Sequence, residues 1–292
     1  ATQGGMTDEV LVFGTGKAVF AEDEAFAFAI PSNTKGVKFI CRDTFIGGDS
    51  HFDHPLSSRY EEIDSIIVFD NVLVPWERIF FYNNFEIAGK FLMESSFHHF
   101  AKYQVTIRQI VKTEFILGIA ELLVDTINVR EYQHIHEKLS EIIVGLETMK
   151  ALLEKSENNA ALDDWGYLRP AIFPLKIAGN IFSKLYPRYI EIIQLIGASG
   201  MITLPTEKAF HSDIRADLDQ YLQGATKTAE ERVKIFRLAW DLTMSSFGTR
   251  QMQYERFFFG DSIRAASELY FTYPKKEYVE VVIDFLKQKE DL

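Results

Sequence analysis

Hydrophobic and polar positions change period once along the chain. From Ala1 to about Phe81 they alternate, with β-branched and aromatic side chains gathered at residues 9–13, 25–30, 37–42 and 64–74. A period of two predicts strands. Gly14-Thr15-Gly16, Pro31-Ser32-Asn33 and Gly47-Gly48-Asp49 supply the turns between them. In the last run, Phe69 and Val72 to Val74 are assigned to the strand, and Pro75 ends it because proline cannot donate to a ladder. From about Asn84 the spacing is helical, over residues 86–129, 131–155, 167–196, 226–246 and 262–289. Thr226-Lys227-Thr228-Ala229 followed by Glu230 and Glu231 reads as a helix start with acidic residues at its positive end. The expected fold class is α+β: an antiparallel β-sandwich or small barrel over residues 1–82, then a helical bundle over 83–292. The stretches 86–129 and 167–196 carry more apolar positions than one stripe needs, which predicts burial on more than one side and assembly as a dimer of dimers.

Charge narrows the partners. Lys plus Arg number 31 against 42 for Asp plus Glu, a formal net charge of -11 over 292 residues, which disfavours nucleic acid and anionic membranes. Apolar residues at 47% provide ample material for a core. Cys41 is the single cysteine, so this chain alone builds neither a disulfide framework nor a multi-cysteine metal site. With no basic leader at the start, a reducing, cytoplasmic setting is expected. No apolar run approaches the roughly 20 residues of a membrane span, and the richest, 115–124, is interrupted by Glu121. The chain opens on Ala1 rather than methionine, and is read as a piece of a longer protein.

Several motif-like strings fail on chemistry. Gly14-Thr15-Gly16-Lys17 lacks the first glycine of a phosphate loop, and Ala18 stands where a magnesium-binding hydroxyl is needed, leaving a β-turn. Gly197-Ala198-Ser199-Gly200 follows a helix, whereas a nucleophile elbow follows a strand. His134 and His136 lie about 200° apart around a helix and cannot share a metal. His98 and His99 are about 100° apart, so one of them is expected to face the core. His51 and His54 occupy an Asp/His/Pro loop read as solvated, and Cys41, between Ile40 and Arg42, is read as a buried structural thiol.

What remains is an order of features. A β segment ends in Phe69-Asp70-Asn71-Val72-Leu73-Val74-Pro75 and a helical bundle follows; within it come Gln194-Leu195-Ile196-Gly197-Ala198-Ser199-Gly200 and Phe259-Gly260-Asp261-Ser262-Ile263-Arg264. This order resembles the acyl-CoA dehydrogenase superfold from its middle domain onward, where the last two strings resemble flavin-contacting loops. Ala1-Thr2, Ala27-Phe28-Ala29-Ile30-Pro31, Lys38-Phe39-Ile40-Cys41-Arg42 and Tyr254-Glu255-Arg256-Phe257-Phe258-Phe259-Gly260-Asp261 resemble one branch of it. That branch is the oxygenase-component family of 4-hydroxyphenylacetate 3-monooxygenase, and the likeness covers essentially the whole chain.

The resemblance implies a two-component flavoprotein monooxygenase. It would take reduced FAD from a separate flavin reductase and hydroxylate a phenol such as 4-hydroxyphenylacetate ortho to its hydroxyl with O2, as a homotetramer. It also implies that an N-terminal helical domain carrying much of the phenol and flavin sites is absent here, so no catalytic residue is assigned and the chain alone is expected to be incomplete for catalysis. Carried over by the resemblance are Thr2 against the flavin ring and Gly14-Thr15 in a loop closing over the phenol. Gly260, Asp261, Ser262 and Ile263 are carried over to a flavin-contacting helix entrance, whose free N–H groups suit a phosphate. Read without the family, Gly260-Asp261-Ser262 is a helix cap. No metal is expected. The alternatives are an acyl-CoA dehydrogenase-like flavoprotein, an oligomerisation module without turnover, and a 4-hydroxybutyryl-CoA dehydratase-like protein. The last needs a His-x6-Cys ligand pair, whereas His98 is followed by Val105 and His99 by Thr106.

Overall fold

The computed structural model describes residues 4–14, 22–258 and 260–287. Its first part holds β1 (Glu9–Phe13), β2 (Phe26–Pro31), β3 (Val37–Cys41), a short α1 (Ser57–Tyr60), β4 (Ser65–Phe69) and β5 (Ile79–Tyr82). β2 is the centre of an antiparallel sheet in the order β1-β2-β5, with Glu9 opposite Pro31 and Phe13 opposite Ala27. A bulge between Ala27 and Phe28 shifts its register against β5. β3 and β4 form a separate antiparallel pair, Val37 opposite Phe69 and Cys41 opposite Ser65. The β part is therefore made of small antiparallel sheets, and no closed barrel forms among the described residues.

The expected strand 64–74 stops early. Asp70 N–H donates to Gly36 O at 3.0 Å, closing the ladder, and Asn71 then turns the chain at φ 51°. Val72 to Val74 thus lie outside any strand. Gly36, at φ +94°, is required at this closure, because a Cβ there would run into the carbonyl oxygen of Asp70. Cys41 is exposed rather than buried: alternation places it on the half-buried face of Val37 and Phe39, but it stands at the end of β3, where that face is no longer covered.

The helical part comprises α2 (Phe85–Glu94), α3 (Phe97–Ile127), α4 (Gln133–Asn158), α5 (Ile172–Gly197), α6 (Arg215–Tyr221), α7 (Ala229–Thr243), α8 (Ser246–Phe257), α9 (Ser262–Thr272) and α10 (Lys276–Lys287). A two-residue ladder, β6 (Ala161–Leu162) with β7 (Leu168–Arg169), sits between α4 and α5. Four expected helices are shorter than their periodic stretches, the fourth running only over Ala229–Thr243 before the separate α8 begins at Ser246. The first splits because Ser96 is left-handed (φ 58°) and its buried hydroxyl donates to Asp163 Oδ2 at 3.0 Å. The third starts five residues late, because Asp163 Oδ1 accepts the N–H groups of Trp165 and Tyr167 and folds 161–169 into the ladder. The last is divided before Pro274 into α9 and α10. At the start of α7, Thr228 and Glu231 form a reciprocal capping box.

Most of the core lies among α3, α4, α5 and α7, filled by side chains such as Ile116, Leu123, Ile142, Phe182, Tyr186, Ile193 and Phe236. A smaller core packs Ala25, Ala27 and Phe81 of the sheet against Ala88 and Phe91 of α2. Between them, the segment from Arg42 to Asp64 is held to the bundle by polar groups. Asp241, fully buried on α7, accepts the N–H of Leu56 at 2.8 Å and of Ser57 at 2.9 Å on one oxygen. Arg250 on α8 forks onto Asp64 and reaches Glu62 at 2.6 Å; Arg42 reaches Asp64 at 2.9 Å and Glu61 at 2.6 Å. No helix among the described residues is long and apolar enough to cross a membrane.

Two predictions follow from these ties. Asp241→Ala orphans two buried N–H groups and should destabilise the fold by about 3 kcal/mol, read as a lower urea midpoint at unchanged slope. The Arg250 hydrogen bond, aided by Arg42 and opposed by desolvation, lowers the Asp64 pKa from 3.8 to about 2. A depressed carboxylate stabilises above its unfolded pKa, and that stability is lost as pH falls from about 4 through about 2. Asp64 is partly solvated, so the effect should be about 1 kcal/mol after screening. Asp64→Asn should remove that part of the acid-induced fall in melting temperature between pH 4 and 2.

Candidate active-site face

α3 is apolar on two sides. One side carries Ile110, Ile116, Ile119, Ala120 and Leu123 into the core. The other carries Phe97, Phe100, Val111 and Phe115, each 45% to 57% exposed, at spacings of three, eleven and four residues, which keep them on one face. Two clefts open along that face.

The first cleft, about 540 Å³, lies between the sheet and the start of α3. Leu11 and Phe13 of β1 form one wall, and Phe91, Phe97, Phe100 and Gln104 the other. Phe91 contacts both Phe13 and Phe81, at ring-centroid distances of 5.8 and 5.3 Å, which fixes the sheet against α2 at this point. Gly14 follows Phe13 directly, and its N–H donates to Phe26 O at 2.9 Å, which ties it to the sheet next to a residue that lines this cleft. Thr15, like Thr2, lies outside the described residues.

The second cleft, about 440 Å³, lies farther along the same face. Apolar side chains of α3, α7 and α8 line it together with Leu56, and at its polar end are Tyr60, Glu62, Arg108, Lys112, Tyr186 and Gln251. Glu255, 2% exposed, holds this end together: it receives both Arg108 terminal nitrogens at 2.8 and 3.1 Å and Lys112 Nζ at 2.7 Å. Burial pushes the Lys112 pKa down against the pull of Glu255, and burial pushes the Tyr186 pKa up. Arg108, Lys112 and Arg250 also sit over the Tyr254 ring at 5.0, 5.7 and 4.6 Å from its centroid.

Gly260, Asp261, Ser262 and Ile263 are on another flank. Asp261 is the N-cap of α9, its Oδ2 accepting Arg264 N–H at 3.2 Å, so the cap reading holds for this residue. Gly260 has φ +89°, and a Cβ would stand 2.5 Å from Arg264 Nη2. Ile263 is exposed. Gly260 and Ser262 border a cavity of about 20 Å³ with Lys102, Gln109 and Lys176. Gln109 Oε1 is buried there without a partner, and the space suits one water rather than a phosphate. Lys102 and Gln109 lie about 140° around α3 from the residues of the first cleft. One chain therefore does not bring Gly14 and Gly260–Ile263 to a single cavity. His99 Nδ1 lies 2.8 Å from Pro170 O, a structural contact, and no cluster of metal-binding side chains occurs among the described residues.

A planar apolar group such as a flavin ring fits the clefts of the α3 face; at the α9 turn there is room only for contact across the rim. Sequence reasoning missed Phe91, Phe97, Phe100, Arg108, Lys112, Tyr186, Gln251 and Glu255. The surplus of apolar positions between 86 and 129 was the one available signal. The ion pair of Arg108 with Glu255 spans 147 residues and has no local signature.

Residues 1–81 match the family described as 4-hydroxyphenylacetate 3-hydroxylase N terminal, and residues 88–287 match 4-hydroxyphenylacetate 3-hydroxylase C terminal. The chain is 68% identical over 286 residues to the "Probable 4-hydroxyphenylacetate 3-monooxygenase" of Bacillus subtilis (strain 168), covering 98% of this chain and 59% of that protein. It is 48% identical over 291 residues to the 4-hydroxyphenylacetate 3-monooxygenase oxygenase component of Geobacillus sp. (strain PA-9), again covering 98% and 59%. A crystal structure of such an oxygenase component complexed with FAD and 4-hydroxyphenylacetate superposes with a TM-score of 0.92 at 46% identity, over 96% of this chain and 59% of that one. The chain thus spans about three-fifths of the length of these relatives. An archaeal 4-hydroxybutyryl-CoA dehydratase shares the fold, with a TM-score of 0.83 at 18% identity over 98% of this chain and 58% of that one.

Glu255→Gln should leave Arg108 and Lys112 without their buried counter-charge, and a loss of about 3 kcal/mol is expected in chemical denaturation. A change within about 0.5 kcal/mol would mean that solvent already screens the three groups.

Proposed function

The chain belongs to the 4-hydroxyphenylacetate 3-hydroxylase family, and from that premise we propose that it forms the β and helical parts of a two-component monooxygenase's oxygenase component. In this reading residues 1–82 and 83–292 are its middle and C-terminal domains, and a preceding helical domain completes the site. The complete protein takes reduced FAD from a separate reductase and hydroxylates 4-hydroxyphenylacetate or a similar phenol ortho to its hydroxyl, as a cytoplasmic homotetramer. Reduced FAD, when bound, supplies the two electrons with which O2 gives one oxygen atom to the phenol and one to water.

The observation that carries this reading is the first cleft, an apolar slot walled by the end of β1, next to Gly14. Phe13, Phe91, Phe97 and Phe100 offer a phenol ring aromatic edges and faces and keep water from the reacting carbon. Gly14 gives the following loop the backbone freedom to close. Thr2 offers a hydroxyl to the flavin ring. Gly260, Asp261, Ser262 and Ile263 make a rim contact to the dinucleotide, of an adjacent subunit where the first cleft of the same chain is out of reach.

The test uses the protein extended to the full length of its relatives, with reduced FAD, O2 and 4-hydroxyphenylacetate. Phe100→Ala should lower the ratio of hydroxylated product to hydrogen peroxide several-fold by wetting the cleft. Thr2→Val and Gly260→Val should each weaken reduced FAD about tenfold in anaerobic titration. Folded variants that all keep wild-type coupling and affinity would place the site elsewhere.

A further inference from the structure

No described residue of α9 or α10 is buried. α9 is tied to α5 by Lys176 on Glu268 at 2.9 Å and by the rings of Phe173 and Tyr273. Around α10, the side chains of Tyr278, Val281, Val282, Ile283, Phe285 and Leu286, 42% to 75% exposed, span an arc of about 200°. So wide an apolar arc belongs to a helix packed among other elements. Its narrow polar side sets Glu277, Glu280 and Asp284 against Lys276 and Lys287, which disfavours an anionic membrane and leaves protein as the partner. A second apolar face is open on α3, where Val111, Phe115 and Leu122 are 44% to 57% exposed and a Cβ at Gly118 would meet nothing within 4 Å. The 111–122 stretch and α10 have the same length, 12 residues or about 18 Å. The two faces do not meet within one chain. α9 borders Lys102 and Gln109, which point about 120° to 180° around α3 away from that stripe. The chain exposes 17950 Å², whereas a folded monomer of 33.6 kDa exposes about 12,700 Å². The surplus, about 5,000 Å², is on the scale of obligate interfaces.

We infer that α10 is an exchange arm: it packs its apolar arc against residues 111–122 of α3 in a second copy of this chain, which returns its own α10 in the same way. Such a contact is self-complementary about a two-fold axis and closes on itself. One exchange covers both open faces, although they lie on opposite sides of the bundle. It also roofs the second cleft, which Val111 and Phe115 line, with the arm of the other copy. The inference rests on the homotetramer part of the reading above and deepens it by naming the contact.

The experiment measures self-association of the 292-residue chain by sedimentation velocity over a dilution series. Phe285→Glu on α10 and Leu122→Lys on α3 change exposed side chains that line neither cleft. Each should weaken association about a hundredfold, as for a residue central to an interface, while circular dichroism stays that of the wild type. An equimolar mixture of the two should associate about tenfold more tightly than either alone. The mixed pair joins one intact arm to one intact stripe and opposes a Glu to a Lys at the other contact, so only about one mutated contact's worth of binding is lost. Recovery in the mixture supports arm exchange between copies. A wild-type chain that stays monomeric at micromolar concentration overturns the inference together with the homotetramer reading. Folded variants that associate like the wild type, or a mixture no tighter than its components, overturn the exchange alone and leave that reading standing. Should Leu122→Lys fail to fold, Phe285→Glu decides, because α10 carries none of the chain's own core.

Discussion

The attachment of residues 42–64 to α7 and α8 is the constraint on which the rest of this structure depends. This segment carries only the four-residue α1, so it has little regular structure to hold it in place. Its position is set instead by a buried carboxylate on Leu56 and Ser57, and by two arginines converging on Asp64. Apolar contacts alone would let such a segment slide, since they are non-directional. Directional hydrogen bonds to a fixed helix do not allow that. Leu56 and Glu62 are thereby delivered to the second cleft, and β4 leaves Asp64 with its pairing to β3 already set.

α3 shows how one element can serve both stability and a site. Its inner stripe packs in the bundle, and its outer stripe remains half exposed over a length that spans both clefts. A helix needing only to fold would present polar residues there. The two clefts differ in their chemistry although they share this helix. The first is walled by aromatic rings with Gln104 and Ser95 at its edge; the second ends in a saturated ion cluster with neutral donors beside it.

Much of the architecture was legible because it is written locally. Strand alternation at Glu9–Phe13 and Val37–Cys41, the Thr228 cap and the apolar periods of α4 and α5 all express interactions between near neighbours. The misses share the opposite property. The turn at Asn71 is tied to a closure against Gly36, thirty-five residues earlier, and the break at Ser96 depends on Asp163. The order of the family-like strings pointed to the family, since order survives when individual words are weak. The clefts themselves could not be read, because their walls are drawn from strands and helices far apart in the chain and meet only through packing.

The break at Ser96 reaches beyond the geometry of one helix. α2 turns Ala88 and Phe91 into the small core of the sheet, whereas α3 belongs to the core of the bundle. What looks in the sequence like one continuous helix is therefore shared between two cooperative units, with the left-handed serine as their seam. Amide protons of α2 are expected to exchange with the kinetics of the sheet rather than with those of α3, so that local opening of the sheet carries α2 with it. The first cleft has walls on both sides of that seam, Phe91 on one and Phe97 and Phe100 on the other. Its width is thus coupled to the breathing of the sheet against a bundle that stays closed, and a ligand bridging the two walls would slow exchange in both units at once.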